Sequence, residues 1–320
     1  MPKRLMLITQ NIEESYTQQI KELVPNFEVI VGKEKEIWEP HAKDAEVIVG
    51  WKKGLEELSL GKESKLRWLQ SWSAGVNSMP LRQLSENNIL LTSANGVHAY
   101  PISETIFALM LGLTRKIHTY VNQQQKKEWH HAHMNLELHE KTLGIIGVGE
   151  IGRETARIAK AFRMNVIGVR HSGEPTENVD KMFTPDKLQE VLPICDYVVI
   201  TLPLTAETEG MFGSEEFTLM KKSAFLINIG RGEVIIEKEL VQALQQKEIA
   251  GAGLDVFIKE PLDKSSKLWE MENVIITPHT SGSTEHYTKR VIEDIFIPNL
   301  KKYLKEEYPL KNLVDYNKGY

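Results

Sequence analysis

Lys141-Thr-Leu-Gly-Ile-Ile-Gly-Val-Gly-Glu-Ile-Gly152 sets Gly147, Gly149 and Gly152 in G-x-G-x-x-G register, directly after an apolar strand and directly before a helix. The three glycines have separate jobs. Gly147 permits the tight strand-to-helix turn, Gly149 lets backbone approach a phosphate with no Cβ between, and Gly152 allows the helix to pack closely on the strand. Free N–H groups at the helix N-terminus then meet the pyrophosphate of a dinucleotide. The flanks are those this mechanism requires: 143–146 reads as strand and 153–162 as a helix with Ile158, Ala159 and Phe162 on its apolar side. They argue against the plainer alternative of a merely structural glycine turn.

Outward from this segment, short apolar runs alternate with helical patterns. Toward the C-terminus, strands are expected near 142–146, 165–169, 197–201, 224–229, 251–255 and 274–277. Six parallel strands complete a doubly wound nucleotide domain. Toward the N-terminus lie strands near 5–9, 27–31, 47–50, 68–70 and 89–92, with amphipathic segments such as 14–24 between them. A long helical stretch, 102–125, separates the two series. The run 285–305 is helical in pattern, with Val291, Ile292, Ile295 and Phe296 apolar. By then the second sheet is full, so this run is expected to return to the first domain and make it discontinuous.

A chain of 320 residues can bury two sizeable cores. A net charge of −5 leaves no basic excess for nucleic acid or anionic lipid, which argues against both as partners. The one cysteine, Cys195, can form no intrachain disulfide; in its apolar stretch it reads as a buried structural thiol in a reducing compartment. Lys3 and Arg4 precede only a short apolar run before Gln10, Asn11, Glu13 and Glu14, so the N-terminus reads as a first strand rather than a signal peptide. No apolar run approaches the ~18 residues of a membrane span, and a cytoplasmic protein is expected.

In open α/β sheets ligands lie beyond the carboxyl ends of the strands. There, Gly230-Arg231-Gly232 follows 224–229, Phe257-Ile-Lys-Glu260-Pro261 follows 251–256, and Pro278-His279-Thr-Ser-Gly282 follows 274–277. Hydride transfer to a 2-keto acid needs a cation for the carboxylate, ideally a two-pronged guanidinium, and an acid for the carbonyl oxygen. Arg231 fits the first role and His279 the second. Glu260 on the other imidazole nitrogen would fix the tautomer and stabilise the cation. Each of these residues alone would more often be structural; their joint placement on adjoining loops reverses that reading.

At these residues the chain resembles the D-isomer-specific 2-hydroxyacid dehydrogenases, and among them the short glyoxylate/hydroxypyruvate reductases. The likeness spans nearly the whole length: Ser73-Ala-Gly-Val-Asn77, Gly147-Val-Gly-Glu-Ile-Gly152, Leu202-Pro-Leu-Thr-Ala-Glu-Thr208, Asn228-Ile-Gly-Arg-Gly232, Leu254-Asp-Val-Phe257 with Glu260-Pro261, and Pro278-His279-Thr-Ser-Gly282. The resemblance implies a catalytic trio of Arg231, Glu260 and His279. It implies substrate binding by Arg231 and by the backbone amides of Gly75 and Val76. Cofactor contacts are implied at Gly147, Gly149, Glu150, Ile151 and Gly152, at Arg170, His171 and Ser172, at Leu202, Pro203 and Thr208, and at Ile229, Gly230 and His279. Asp255 would meet the nicotinamide amide. The fold implied is α/β: a doubly wound parallel-sheet Rossmann domain over 100–283 and a discontinuous flavodoxin-like substrate domain over 1–99 and 284–320. A homodimer through the nucleotide domain is also implied.

Cofactor choice turns on one departure. NAD-preferring sites carry Asp or Glu at the end of the second strand to bind the ribose hydroxyls. Here 166–169 is followed by Arg170-His171-Ser172, with no carboxylate before Glu174. A cation and a hydroxyl at this position suit a 2′-phosphate, so NADP(H) is favoured; the alternative is NAD(H), with Arg170 stacked on adenine.

The remaining candidates are weighed against blander roles. His130, His131, His133 and His139 have H-x-H spacing near Trp129, yet no cysteine is near and the proposed catalysis needs no metal, so none is expected. Trp129 is a candidate for an active-site wall, its own or a partner subunit's. Trp51, Trp72 and His98 fall at strand ends or loops, where packing and substrate contact compete. Lys126 and Lys127 read as solvated surface. Two function classes follow: a reductase of a small 2-keto acid such as glyoxylate or hydroxypyruvate, or a cofactor-sensing module like the corepressors that share the fold. The lack of added tails favours the enzyme. Phosphoglycerate oxidation is a further alternative, against which stands the end of the chain at Tyr320, with no appended regulatory domain.

Overall fold

A computed structural model describes residues 4–76, 78–131 and 135–316. The chain divides into two compact units, Met1–Val97 with Thr284–Tyr320, and His98–Ser283. The first holds a five-stranded sheet of β1 (Arg4–Ile8), β2 (Phe27–Val31), β3 (Val47–Val49), β4 (Trp68–Gln70) and β5 (Leu90–Thr92), in the order β2-β1-β3-β4-β5. All pairings are parallel, and the order is flavodoxin-like. Strand alternation divides the apolar residues between two faces. Leu5 and Leu7 join Ile48, Leu69 and Leu91 on one, while Met6 and Ile8 join Val47, Val49 and Trp68 on the other.

The second face is covered by the C-terminal run through Ile292, Phe296 and Leu300. Expected as one helix, this run is Tyr287–Arg290, a π-helical turn at Val291–Phe296, and Ile297–Leu304. Pro298 supplies a reason for the irregularity, because it has no N–H to donate to the carbonyl of Asp294. Lys311 Nζ donates to that carbonyl instead, at 3.1 Å.

The second unit holds β6 (Thr142–Ile146), β7 (Asn165–Val169), β8 (Lys181–Phe183), β9 (Tyr197–Ile200), β10 (Phe225–Asn228), β11 (Gly251–Leu254) and β12 (Val274–Ile276). Their order is β12-β11-β10-β9-β6-β7-β8, all parallel. Six of these strands were expected. The seventh, β8, is an edge strand paired with β7; it opens on an exposed lysine and buries none of its three residues fully, so it leaves no apolar run to read. The order reverses between β6 and β9, which opens the crevice where such sheets take their ligands.

Leu143 and Ile145 face Ile106, Phe107 and Met110 of the helix Ala99–Thr114, and Ile146 faces the opposite core. The single helix expected over 102–125 is two, Ala99–Thr114 and Ile117–Lys126, parted at Lys116 with φ +53°. Among the described residues no helix is long and apolar enough to cross a membrane.

Cys195 is fully buried, and its thiol donates to Val191 O at 3.2 Å. Burial pushes the thiol pKa up to about 12. At pH 8 only about one thiol in 10⁴ is then ionised, and thiolate is the reactive form. Thiol reagents at pH 8 are expected to label the native protein negligibly and the urea-unfolded chain fully. Rapid native labelling, followed by mass, would overturn this.

Candidate active site

The glycine-rich turn has the geometry that its spacing calls for. Gly147 has φ +105°, and a Cβ there would press on Leu202 and Thr201 at 3.0 Å. At Gly152 a Cβ would stand 2.7 Å from the carbonyl oxygen of Gly147. At Gly149 it would meet no protein atom within 4 Å, so the space beside this residue is open to a ligand. The helix Glu150–Ala161 begins at this glycine, three residues before the expected start, and has no side-chain cap. The N–H groups of Glu150, Ile151 and Gly152 therefore lack helical acceptors. Such an uncapped, Cβ-free cradle fits a pyrophosphate.

Neighbouring strand ends close on this turn. Thr201 Oγ1 donates to the carbonyl of Gly147, and Thr208 Oγ1 donates to that of Pro203 at 2.7 Å. A Cβ at Gly230 would meet Leu202 O at 2.6 Å, while Ile229 is buried and donates its N–H to Ile200 O. Val169, last residue of β7, accepts the N–H groups of Gly147 and Val148 at 2.9 and 3.3 Å, which sets Arg170 beside the turn. Arg170 is half-exposed, and His171 and Ser172 are exposed. A tight turn holds them: Gly173, at φ +65°, donates to Arg170 O, and Ser172 Oγ accepts from Glu174 N. Among the described residues Arg170 has no carboxylate partner, so its charge is uncommitted.

Arg231, Glu260 and His279 stand beyond β10, β11 and β12, three adjacent strands. Two of the three touch. Glu260 Oε2 lies 2.7 Å from His279 Nδ1, and Glu260 Oε1 accepts the N–H of Phe257 at 3.0 Å. A carboxylate at Nδ1 puts the proton on that nitrogen and leaves Nε2 as the working atom. Arg231 forms no hydrogen bond or ion pair with either; one of its N–H groups donates to Gly230 O at 2.7 Å. Its backbone is fixed by Asn228, whose Oδ1 accepts from Gly230 N and whose Nδ2 donates to Arg231 O, each at 3.0 Å. A Cβ at Gly232 would fall 2.0 Å from the carbonyl carbon of Phe257, so the Arg231 and Glu260 loops meet backbone to backbone.

His279 has φ +50°, a conformation that costs a non-glycine residue on the order of 1 kcal/mol. Asp255 holds it there. This fully buried carboxylate accepts from Thr277 Oγ1 at 2.6 Å and from the N–H groups of Thr280 and Ser281 at 3.0 and 3.1 Å, while its own carbonyl accepts from His279 N at 2.9 Å. Sequence reasoning missed this service, as it missed that of Asn228. Each residue stood in a quoted motif, but the bonds join positions whose meeting has no local signature.

In the first unit, Gly75 is exposed and Val76 is buried in the core, and among the described residues neither N–H finds an acceptor. Trp51 packs against the core, and Trp72 packs on Tyr287 with ring centroids 6.2 Å apart. Trp129 is fully exposed, and His130, His131, His139, Lys126 and Lys127 are exposed. His133 and Asn77 lie outside the described residues. Among the described residues no group of His, Cys, Asp or Glu is arranged to hold a metal ion.

A doubly wound sheet with a phosphate cradle, and a carboxylate-backed histidine beside an arginine at its strand ends, defines a nicotinamide-dependent oxidoreductase. Residues 107–281 match the family model of the NAD-binding domain of D-isomer-specific 2-hydroxyacid dehydrogenases. A glyoxylate/hydroxypyruvate reductase B of Escherichia fergusonii is 33% identical over 305 residues, which are 92% of this chain and 90% of that protein. A D-3-phosphoglycerate dehydrogenase of Methanocaldococcus jannaschii is 33% identical over 308 residues; these are 94% of this chain but only 58% of that longer protein. Among solved structures, an NADPH-dependent glyoxylate/hydroxypyruvate reductase of Sinorhizobium meliloti, in complex with NADP and sulfate, is similar with a TM-score of 0.78. It is 26% identical, and the likeness covers 99% of this chain and 100% of that one. The chain belongs to the D-isomer-specific 2-hydroxyacid dehydrogenases.

Proposed function

We propose that this enzyme reduces a small 2-keto acid, glyoxylate or hydroxypyruvate, to the D-2-hydroxy acid at the expense of NADPH. The observation that carries the reading is the 2.7 Å contact of Glu260 with His279 Nδ1, which leaves Nε2 to deliver a proton. The His98–Ser283 unit is the proposed nucleotide domain, with residues 147–152 holding the pyrophosphate and 201–208, 229–230 and Asp255 bordering the cofactor. When bound, the reduced nicotinamide supplies the hydride. Arg231, by its guanidinium fork, holds the substrate carboxylate. His279 Nε2 protonates the carbonyl oxygen, and Glu260 stabilises the histidine in its cationic form before that transfer.

The uncommitted charge of Arg170, with the Ser172 hydroxyl, supports NADP(H) over NAD(H), as does the NADP complex of the Sinorhizobium relative. Charge-assisted bonds to a phosphate are each worth about 1.5–3 kcal/mol. Arg170→Asp is therefore expected to lower the NADPH-over-NADH ratio of kcat/KM at least ~10-fold. An unchanged ratio would mean that Arg170 does not read the phosphate. Initial rates with both cofactors and a panel of glyoxylate, hydroxypyruvate and pyruvate test the reaction itself. The Methanocaldococcus likeness favours 3-phosphoglycerate oxidation as the second reading, and rates with 3-phosphoglycerate and each oxidised cofactor, measured beside that panel, decide between them. We also propose a homodimer. Its support is that Ile117–Lys126 buries no residue of its own while Tyr100, Ile117, Val121 and Trp129 expose apolar surface; mass in solution is the check.

A further inference from the structure

The chain crosses between its two units twice, at Val97–His98 and at Ser283–Thr284, and at each crossing a side chain ties the two strands of chain together. Within the first unit, Arg290 Nη1 donates to Val97 O at 3.2 Å and to Thr284 Oγ1 at 3.4 Å. Within the second, His98 Nδ1 lies 2.8 Å from the carbonyl oxygen of Gly282. A carbonyl only accepts, so Nδ1 carries the proton and donates. Gly282 is three residues past His279, on a loop also held by Glu260 at His279, by a turn in which Ser283 N donates to Thr280 O at 2.9 Å, and by the bonds to Asp255. The bonds to Asp255 end at Ser281, and the Ser283–Thr280 turn is internal to the loop, so His98 is the hold on Gly282 from outside it.

We propose that His98 is a positioning residue for the reaction: through Gly282 O it fixes the outgoing end of the loop that carries His279. The proposal rests on the reading of His279 as the acid. His98 suits this work because it is itself held. It immediately precedes the helix Ala99–Thr114, its carbonyl accepts Ile102 N at 3.1 Å, and that helix is seated in the core by Ile102, Ile106, Leu109 and Met110. The fit at the other end is tight as well: a Cβ at Gly282 would stand 3.1 Å from His98 Nδ1. His279 occupies a left-handed backbone conformation that relaxes if its loop is released, and its Nδ1 meets Glu260 only while the imidazole stays in place. Misplacing a catalytic group by ~1 Å costs up to ~10²-fold in rate.

Three substitutions test this. His98→Ala removes the donor; His98→Asn puts an amide N–H close to where Nδ1 stood; His98→Gln carries its N–H to the place of Nε2 instead. The expected result is a kcat at least ~10-fold lower for His98→Ala, with the KM for cofactor unchanged and the melting temperature followed for each variant. His98→Asn should regain most of the turnover and His98→Gln little. A His98→Ala enzyme within twofold of the parent, or Asn no better than Gln, overturns the proposal. His279→Ala, assayed alongside, separates the two ideas. Retained turnover there removes the acid, whereas turnover lost there but kept in His98→Ala removes the tether alone.

Discussion

His279→Gln is expected to lower kcat about 10³-fold while leaving cofactor affinity close to that of the parent. General acid catalysis contributes ~10²–10⁴-fold, and 10³ corresponds to about 4 kcal/mol at the barrier. Glutamine keeps the length and a polar end but carries no transferable proton at the position of Nε2. The loss falls on turnover because the phosphate cradle at 147–152 is built from backbone and glycine, with no part supplied by the 277–282 loop. Rapid-mixing measurement of NADPH oxidation, beside fluorescence titration of cofactor, separates the two quantities. A variant within tenfold of the parent would remove His279 as the acid and pass that role to water or to another side chain. Glu260→Gln removes the charge and leaves one acceptor oxygen for the two N–H groups of His279 Nδ1 and Phe257; it should still lose less than His279→Gln, because the acid is weakened rather than deleted.

What could be read from the chain beforehand was whatever has a period or a fixed offset. The alternation of Leu5 and Leu7 against Met6 and Ile8 marks a strand covered on both faces, and helices do cover both. The glycine offsets foretold a tight turn at Gly147, where φ is +105°, and close packing at Gly152. Legibility stopped where structure depends on one long-range bond. Nothing near Asp294 announces that its carbonyl will accept a hydrogen bond from Lys311 rather than from its own helix. Nothing near Asp255 announces that its carboxylate will serve residues 22 to 26 positions away. His98 drew notice as a residue for which packing and substrate contact compete, and its bond to a carbonyl 184 residues on was not foreseen. Strand β8 escaped for a different reason: Lys181-Met-Phe183 opens on an exposed lysine and is only half-buried beyond it, unlike the apolar Leu90-Leu91 and Val274-Ile-Ile276 of the other short edge strands.

Arg231→Ala is expected to reduce kcat/KM for the keto acid by ~10²–10³-fold, through both a higher KM and a lower kcat. Truncating one partner of a desolvated, hydrogen-bonded charge pair costs about 2–5 kcal/mol, and the carboxylate left behind is poorly paired. One N–H of Arg231 already serves Gly230 O, which leaves the rest of the fork for the proposed substrate carboxylate, on a backbone locked by Asn228 and by the absence of a Cβ at Gly232. That rigidity is why the loss should reach kcat. A two-pronged hold sets the angle at which the carbonyl meets its acid, and an ammonium cannot reproduce it. Arg231→Lys should therefore recover part of the KM and little of the kcat. The fold should tolerate either change, since the guanidinium is exposed and pairs with no carboxylate among the described residues. If Arg231→Ala instead weakened NADPH binding and left the KM for keto acid unaltered, the guanidinium would belong to the cofactor, and the substrate carboxylate would need another cation.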